Sequence, residues 1–321
     1  MTSTNIQVDK IEEPCRLCGR MCIRQLSHLI PAFVFRWLKA TSGNGHIRSS
    51  EEPDKRTQDG VKRYWLCTKC EQLFSGWEGQ FASKIFHPYS VRSGDQFQYE
   101  GWMLRFATSV SWRVLIFALD EGNVEEWSEE VRAKAGSAEI VWRDFLLGKT
   151  NHPGDFRQLV VPMDEITGFD PDMPESINRY LMRAVDLSVP HAKDWAYTFA
   201  KMGRFIVLGQ IVDPMPNQWR SARISANHGV IGPKKYELPM VLWSYLKSRA
   251  RNTREALASM STRQQEKVDQ SFRANVDRYH GSDSFKAMRA DISSFGRKAF
   301  LSIEDDSDTA SSSSDGSAQK P

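Results

Sequence analysis

Two Cys-x-x-Cys pairs, Cys15 with Cys18 and Cys67 with Cys70, carry the clearest chemical signal in this chain, with 48 residues between them. A Cys-x-x-Cys turn aims two thiolates at one point. Two such turns complete the tetrahedral sulfur shell of a structural Zn²⁺ site. In a reducing compartment, paired cysteines of this kind hold metal or do redox chemistry more often than they form structural disulfides. Four unrelated buried thiols, or a redox pair, are the competing readings. Cys22 is left over and is expected to be a free buried thiol.

Between the pairs, "SHLIP" places His28 ten positions after Cys18. Histidine is the side chain best suited to accept a proton near neutral pH, although a lone histidine more often caps or packs. Glu71 directly follows the last cysteine, in the first turn of an expected helix, where a carboxylate also interacts well with the helix dipole. Asp59, in "QDG", is the nearest further oxygen ligand. The polar stretch 39–60 carries Lys39, Arg48, Lys55 and Arg56. It reads as a mobile connector or, in a nucleic-acid enzyme, as a clamp on backbone phosphates. His152 and His228 are expected to be turn residues.

Taken together, "CRLCG", "SHLIP" and "LCTKC" resemble the zinc-containing branch of the HNH endonuclease family, over residues 15–80. The chain also resembles, along its length, a group of bacterial proteins of unknown activity with a "SHIIP" element. The HNH resemblance implies a treble-clef, ββα-metal core around a structural Zn²⁺. It implies His28 as the general base of phosphodiester hydrolysis, Pro31 as the end of the motif, and a catalytic Mg²⁺ or Mn²⁺. The other family positions depart from the pattern. Ser27 stands where the family has a metal-binding Asp, Lys62 where it has an Asn, and Glu71 where it has a His. A hard cation prefers oxygen ligands, so Glu71 with Asp59 is the expected replacement set. A metal-dependent endonuclease acting on DNA or RNA is the leading expectation. The alternatives are a catalytically inactive module that binds nucleic acid or protein, and a zinc domain that merely supports the rest of the chain.

These side chains need elements to hold them. "YWLCTKCEQLF" reads as a strand ending at Leu66, a turn, and a helix from about Lys69. In "PAFVFRWLK", Phe33 and Trp37 fall at helical spacing and are expected in the core. The polar stretch 87–98 reads as the boundary of a zinc domain over 1–90. Beyond it an α+β domain is expected over 98–300. A buried helix should begin at Gly101, and an amphipathic one should cover 124–147 with Trp127, Val131, Trp142 and Phe145 inward. "FRQLVVP", "NRYLMRAVDLSV", "AYTFAKM" and "RFIVLGQIV" read as short antiparallel strands, the last two joined at Met202–Gly203. Helix with breaks should run from Pro239 to Phe295, ended by Gly296. The acidic, serine-rich segment 303–321 is expected to be disordered.

Charge is uneven along the chain. Residues 1–90 hold 13 Lys/Arg against 9 Asp/Glu, and residues 241–300 hold 12 against 6, while the tail is acidic. Both basic regions are candidates to face DNA or RNA phosphates, although a solvated helix surface is the ordinary alternative for 241–300. Apolar runs such as 114–119 fall short of the ~20 residues a bilayer requires, so no membrane partner is expected. "MTSTNIQVDKIEEP" lacks the apolar core of a signal peptide, and a cytoplasmic location is expected. No phosphate loop, nucleophile elbow or dinucleotide fingerprint occurs beyond residue 90.

Overall fold

The computed structural model describes residues 11–300 apart from 123, 169 and 171. The acidic segment 303–321 lies outside the described residues. The chain opens with β1 (Glu13–Pro14) and β2 (Met21–Cys22), an antiparallel clip, followed by β3 (Gln25–His28). Pro31 then leads into α1 (Ala32–Ala40), which buries Phe33, Val34, Phe35, Trp37 and Leu38. The polar stretch after it folds back as a small pair, β4 (Ile47–Arg48) with β5 (Arg56–Thr57). β6 (Lys62–Leu66) returns antiparallel to β3, and α2 (Thr68–Phe81) starts directly after Cys67. A π-turn over 82–86 joins α2 to α3 (His87–Val91).

β7 (Phe97–Glu100) then precedes α4 (Trp102–Glu121), which is apolar around most of its circumference and correspondingly buried. By length and composition alone α4 would pass for a membrane span, but 78% of that window is buried inside the protein. α5 (Glu129–Leu146) starts two residues after Trp127 because the Ser128 hydroxyl accepts from Val131 N at 3.3 Å and caps the helix there. Trp127, Val131, Trp142 and Phe145 are buried, as the amphipathic pattern requires.

Next come β8 (Gln158–Pro162), α6 (Ile177–Arg183), β9 (Val185–Ser188), β10 (Ala196–Met202) and β11 (Phe205–Val212). The four strands form one antiparallel sheet in the order β8-β11-β10-β9. Gly203 takes a left-handed φ of 56° at the β10–β11 turn, a conformation cheap only for glycine. β12 (His228–Ile231) pairs with β7, so His228 opens a strand rather than lying in a turn. The C-terminal part is α7 (Met240–Ala258), α8 (Thr262–Arg273), α9 (Val276–His280) and α10 (Asp283–Phe295), with Gly296 at φ 60° ending the last helix.

The sheet has helices on both faces. Val160, Met202, Phe205 and Val207 share a core with α4 and α5, whereas Leu159, Phe199, Ile206 and Leu208 pack with Leu242 and Leu246 of α7. Burial on both sides explains why β8, β10 and β11 are apolar without strict alternation.

One expected strand is partly a helix. "NRYLMR" forms most of α6, because the fully buried Asp291 of α10 accepts from Asn178 N at 2.8 Å and Arg179 N at 3.2 Å. A carboxylate from 112 residues away thus caps the first turn, a cue that local sequence does not contain. The stretch 87–98 holds a turn of helix and the start of a strand, with Tyr89 buried. The apolar core is continuous across it. Phe81 of α2 stacks on Phe106 of α4 at 4.1 Å and meets Phe205 of β11 edge-on at 5.3 Å.

Candidate functional site

The first cysteine turn is shaped by its own backbone. Cys15 N donates to Arg20 O at 2.8 Å and Gly19 N to Cys15 O at 2.8 Å, with Gly19 at φ 73°. Arg16 N donates to Trp65 O and so ties this turn to β6, whose end carries Cys67. Cys70 lies in the first turn of α2. The four Sγ atoms all fall within 4.8 Å of one another, and Cys18 Sγ lies 3.8 Å from Cys67 Sγ. Four sulfurs around a tetrahedral Zn²⁺ at about 2.3 Å stand about 3.8 Å apart, so the spacing suits that ion. Cys67 N also donates to Cys15 Sγ at 3.3 Å, which favours that sulfur in its charged form and helps to orient it. No disulfide links any of the five cysteines.

Electrostatics at the cluster is divided. Burial pushes the Cys15 and Cys70 thiols up. Burial opposes ionisation of Cys18 as well, but the Arg20 guanidinium, donating from Nε at 3.4 Å, and the Arg20 backbone bring it down to about 6. Four thiolates this close repel one another strongly, and a soft dication relieves that repulsion. Cys22 stands apart, half-buried, with its Sγ donating to Glu13 O at 3.6 Å.

Next to this cluster, β3 and β6 present two polar pairs. The β3–β6 register sets His28 opposite Lys62 and Ser27 opposite Arg63. Successive strand side chains point to opposite faces, so the two pairs are separate. On one face His28 Nε2 lies 2.9 Å from Asp59 Oδ2, and Lys62 Nζ reaches the same oxygen at 2.7 Å. Asp59 Oδ1 accepts from Gly60 N at 3.0 Å. Burial opposes the Asp59 charge, but Lys62, His28 and Gly60 outweigh it and hold the carboxyl down at about 2. Phe35 stacks near the imidazole at 6.4 Å.

On the other face the buried Ser27 hydroxyl donates to Glu71 Oε2 at 2.6 Å. His28 and Asp59 are therefore brought together, as are Ser27 and Glu71, and no hydrogen bond joins the two pairs among the described residues. Arg113 of α4 is a supporting residue that sequence reasoning missed. Its Nη1 donates to His28 O at 2.8 Å, its Nη2 pairs with Glu78 at 2.8 Å, and its guanidinium lies 5.3 Å from the Phe74 ring centre. Nothing local in the sequence links Arg113 to a strand 85 positions earlier. Arg20 was missed as well, although a basic residue two positions after the second cysteine is a readable signal.

Comparisons with protein-family models, with curated proteins and with solved structures return no match.

Proposed function

We propose that residues 11–81 form an HNH-like unit, treble-clef in plan, scaffolded by a structural Zn²⁺ on Cys15, Cys18, Cys67 and Cys70. In this reading His28 is the general base of phosphodiester hydrolysis. The observation that carries the reading is the 2.9 Å contact between His28 Nε2 and Asp59 Oδ2, on the strand that runs between the two cysteine turns. A carboxylate on one ring nitrogen fixes the imidazole's orientation and tautomer. It also compensates the charge the ring gains when the other nitrogen takes a proton from water. The half-buried His28 ring, with a side-chain exposure of 20%, remains open to such a water.

Glu71 and Asp59 do not converge into an oxygen-ligand set. One is held by the Ser27 hydroxyl, the other by His28, Lys62 and Gly60. A catalytic Mg²⁺ or Mn²⁺ on these carboxylates would have to compete with those partners. The Ser27–Glu71 bond favours the second reading, a binding module without catalysis, because it joins the two side chains at the positions where the resemblance implies metal ligands.

Incubation of the purified protein with plasmid, single-stranded DNA and RNA, with Mg²⁺, Mn²⁺ or EDTA, separates the two. The hydrolase reading expects cleavage that His28→Ala lowers by ~10²–10⁴-fold with fold and zinc content retained. Absence of cleavage under every condition, from a folded protein that still binds nucleic acid, supports the second reading instead.

A further inference from the structure

The two basic regions of the sequence, 1–90 and 241–300, meet in space. The segment 41–46 is pinned beneath the α9–α10 junction. Asp283 N donates to Thr41 O at 3.1 Å, Gly43 N donates to Ser284 Oγ at 3.2 Å, and Gly43 lies so close to Tyr279 that no side chain would fit there. Near this segment stand the exposed Arg56 of β5 and Arg278 of α9 and the half-buried Arg48 of β4. His46 lies among them, and the fields of all three guanidiniums reach its imidazole.

None of these arginines is paired with a carboxylate among the described residues. Arg48 Nη1 donates to Pro53 O at 2.8 Å, and its guanidinium donates to the Gln264 amide oxygen of α8 when that amide is turned to face it. Arg56 Nη1 donates to His46 Nε2 at 3.0 Å, which requires a neutral ring. The Arg278 side chain makes no hydrogen bond among the described residues, and a Cβ on Gly45 would stand 3.6 Å from its Nη2. Asp54 offsets part of the field at Arg48, but its Oδ1 is taken by Ser261 N at the start of α8, and the acid beside it, Glu52, is paired with Lys55. Arg48 and Arg56 are thus held by neutral acceptors, Arg278 by none, and none of the three has a carboxylate in an ion pair among the described residues. Such a group repels itself unless an anion completes it, and the planar guanidinium fork matches phosphate oxygens.

We propose that Arg48, Arg56 and Arg278 form a phosphate-binding surface that grips the backbone of a nucleic acid. Arg56 lies three residues before Asp59, the partner of His28. The proposal deepens the nucleic-acid reading of that site and rests on it for the identity of the ligand. The shared chemistry is the phosphate group, whether in a nucleic-acid backbone or free in solution.

The test is fluorescence anisotropy with labelled double-stranded DNA, single-stranded DNA and RNA in EDTA across a salt series. Calorimetric titration with inorganic phosphate and pyrophosphate runs alongside. Wild type should bind at least one nucleic acid, and the double variant Arg56→Gln/Arg278→Gln should bind it at least ~10-fold more weakly. The slope of log K against log salt should become shallower by roughly 0.7–0.9 for each phosphate that the variant leaves unneutralised. Arg132→Gln, an exposed change on α5, should leave binding unchanged, and melting curves should be the same for all variants. Binding is read in EDTA, where no metal-dependent cleavage takes place, so failure of the hydrolase reading is seen separately from failure of this surface. Binding of phosphate or pyrophosphate alone, abolished in the double variant, would assign the surface to a free phosphate ligand and remove the nucleic acid. Equal affinity and equal salt slope for wild type and the double variant, or no binding of any probe, overturns the proposal.

Discussion

At the scale of single residues, the four cysteines and the His28–Asp59 pair make separable demands. If the thiols hold Zn²⁺, metal analysis should find about one equivalent in the wild type and almost none in Cys67→Ser, with a large loss of stability. Cys22→Ser should change neither, because among the described residues the Cys22 side chain bonds only to Glu13 O. A Cys67→Ser protein that keeps both zinc and fold would exclude the four-thiolate site. Ser27→Asp probes the other face of β3. It sets a carboxylate against Glu71, an arrangement that is repulsive until a cation bridges the two. The variant should therefore melt lower than wild type in EDTA and regain stability with millimolar Mg²⁺ or Mn²⁺. A melting curve indifferent to divalent ions would mean that this position does not bind a catalytic cation. The cysteine cluster was legible in the sequence, since Cys-x-x-Cys pairs are local patterns. The hydrogen-bond partners were not. Ser27 with Glu71, and His28 with Asp59, depend on the register of β3 against β6 and on the path of a loop more than thirty residues long.

At the scale of elements, two substitutions test the account of why strands and helices form where they do. Gly203→Ala places a Cβ in the left-handed region and 2.7 Å from Trp37 Cζ3, so both the β10–β11 turn and its contact with α1 suffer. The backbone conformation alone costs about 1–2 kcal/mol, and the clash adds to it; a lowered denaturation midpoint is the readout. Asp291→Ala removes the carboxylate that caps α6 and leaves two buried N–H groups and the Arg179 guanidinium without it. The expected loss is about 2–3 kcal/mol. Burial, outweighing Arg179 and the two backbone donors, holds the Asp291 carboxyl above its usual range. The neutral isostere Asp291→Asn should accordingly cost clearly less than Ala. Equal losses for Asn and Ala in chemical denaturation would mean that the charge matters more than the shape.

At the scale of the whole molecule, the part that carries the cysteine cluster and the rest are joined by packing and by buried ion pairs. Arg183 of α6 donates to Leu38 O at the end of α1 at 3.0 Å and pairs with Asp283 at 2.9 Å, and Arg113 spans α4 to β3. Phe81, Phe86 and Tyr89 all meet Phe205 of the central sheet. Cutting the chain after residue 98 exposes those rings to water at ~25 cal/mol per Å² of apolar surface. A fragment of residues 1–98 with zinc is expected to bind a hydrophobic dye and to melt without a cooperative transition. A soluble fragment with one zinc and a sharp transition would instead establish an independent N-terminal domain.

Sequence alone determined the features that depend on near neighbours. These are the paired cysteine turns, the buried helix after Gly101, the hairpin at Met202–Gly203, the apolar strands 158–162 and 205–212, and the glycine stop at 296. Each is specified by residues within a few positions of one another, through turn conformation, periodicity or the left-handed freedom of glycine. Tertiary structure decided what lies opposite what. It made "NRYLMR" a helix through Asp291, covered both faces of the sheet, gave His28 its Asp59, and gathered Arg48, Arg56 and Arg278 from segments more than two hundred residues apart. Those contacts are set by the closing of long loops around a shared core, and no local pattern encodes the separation that the chain must bridge.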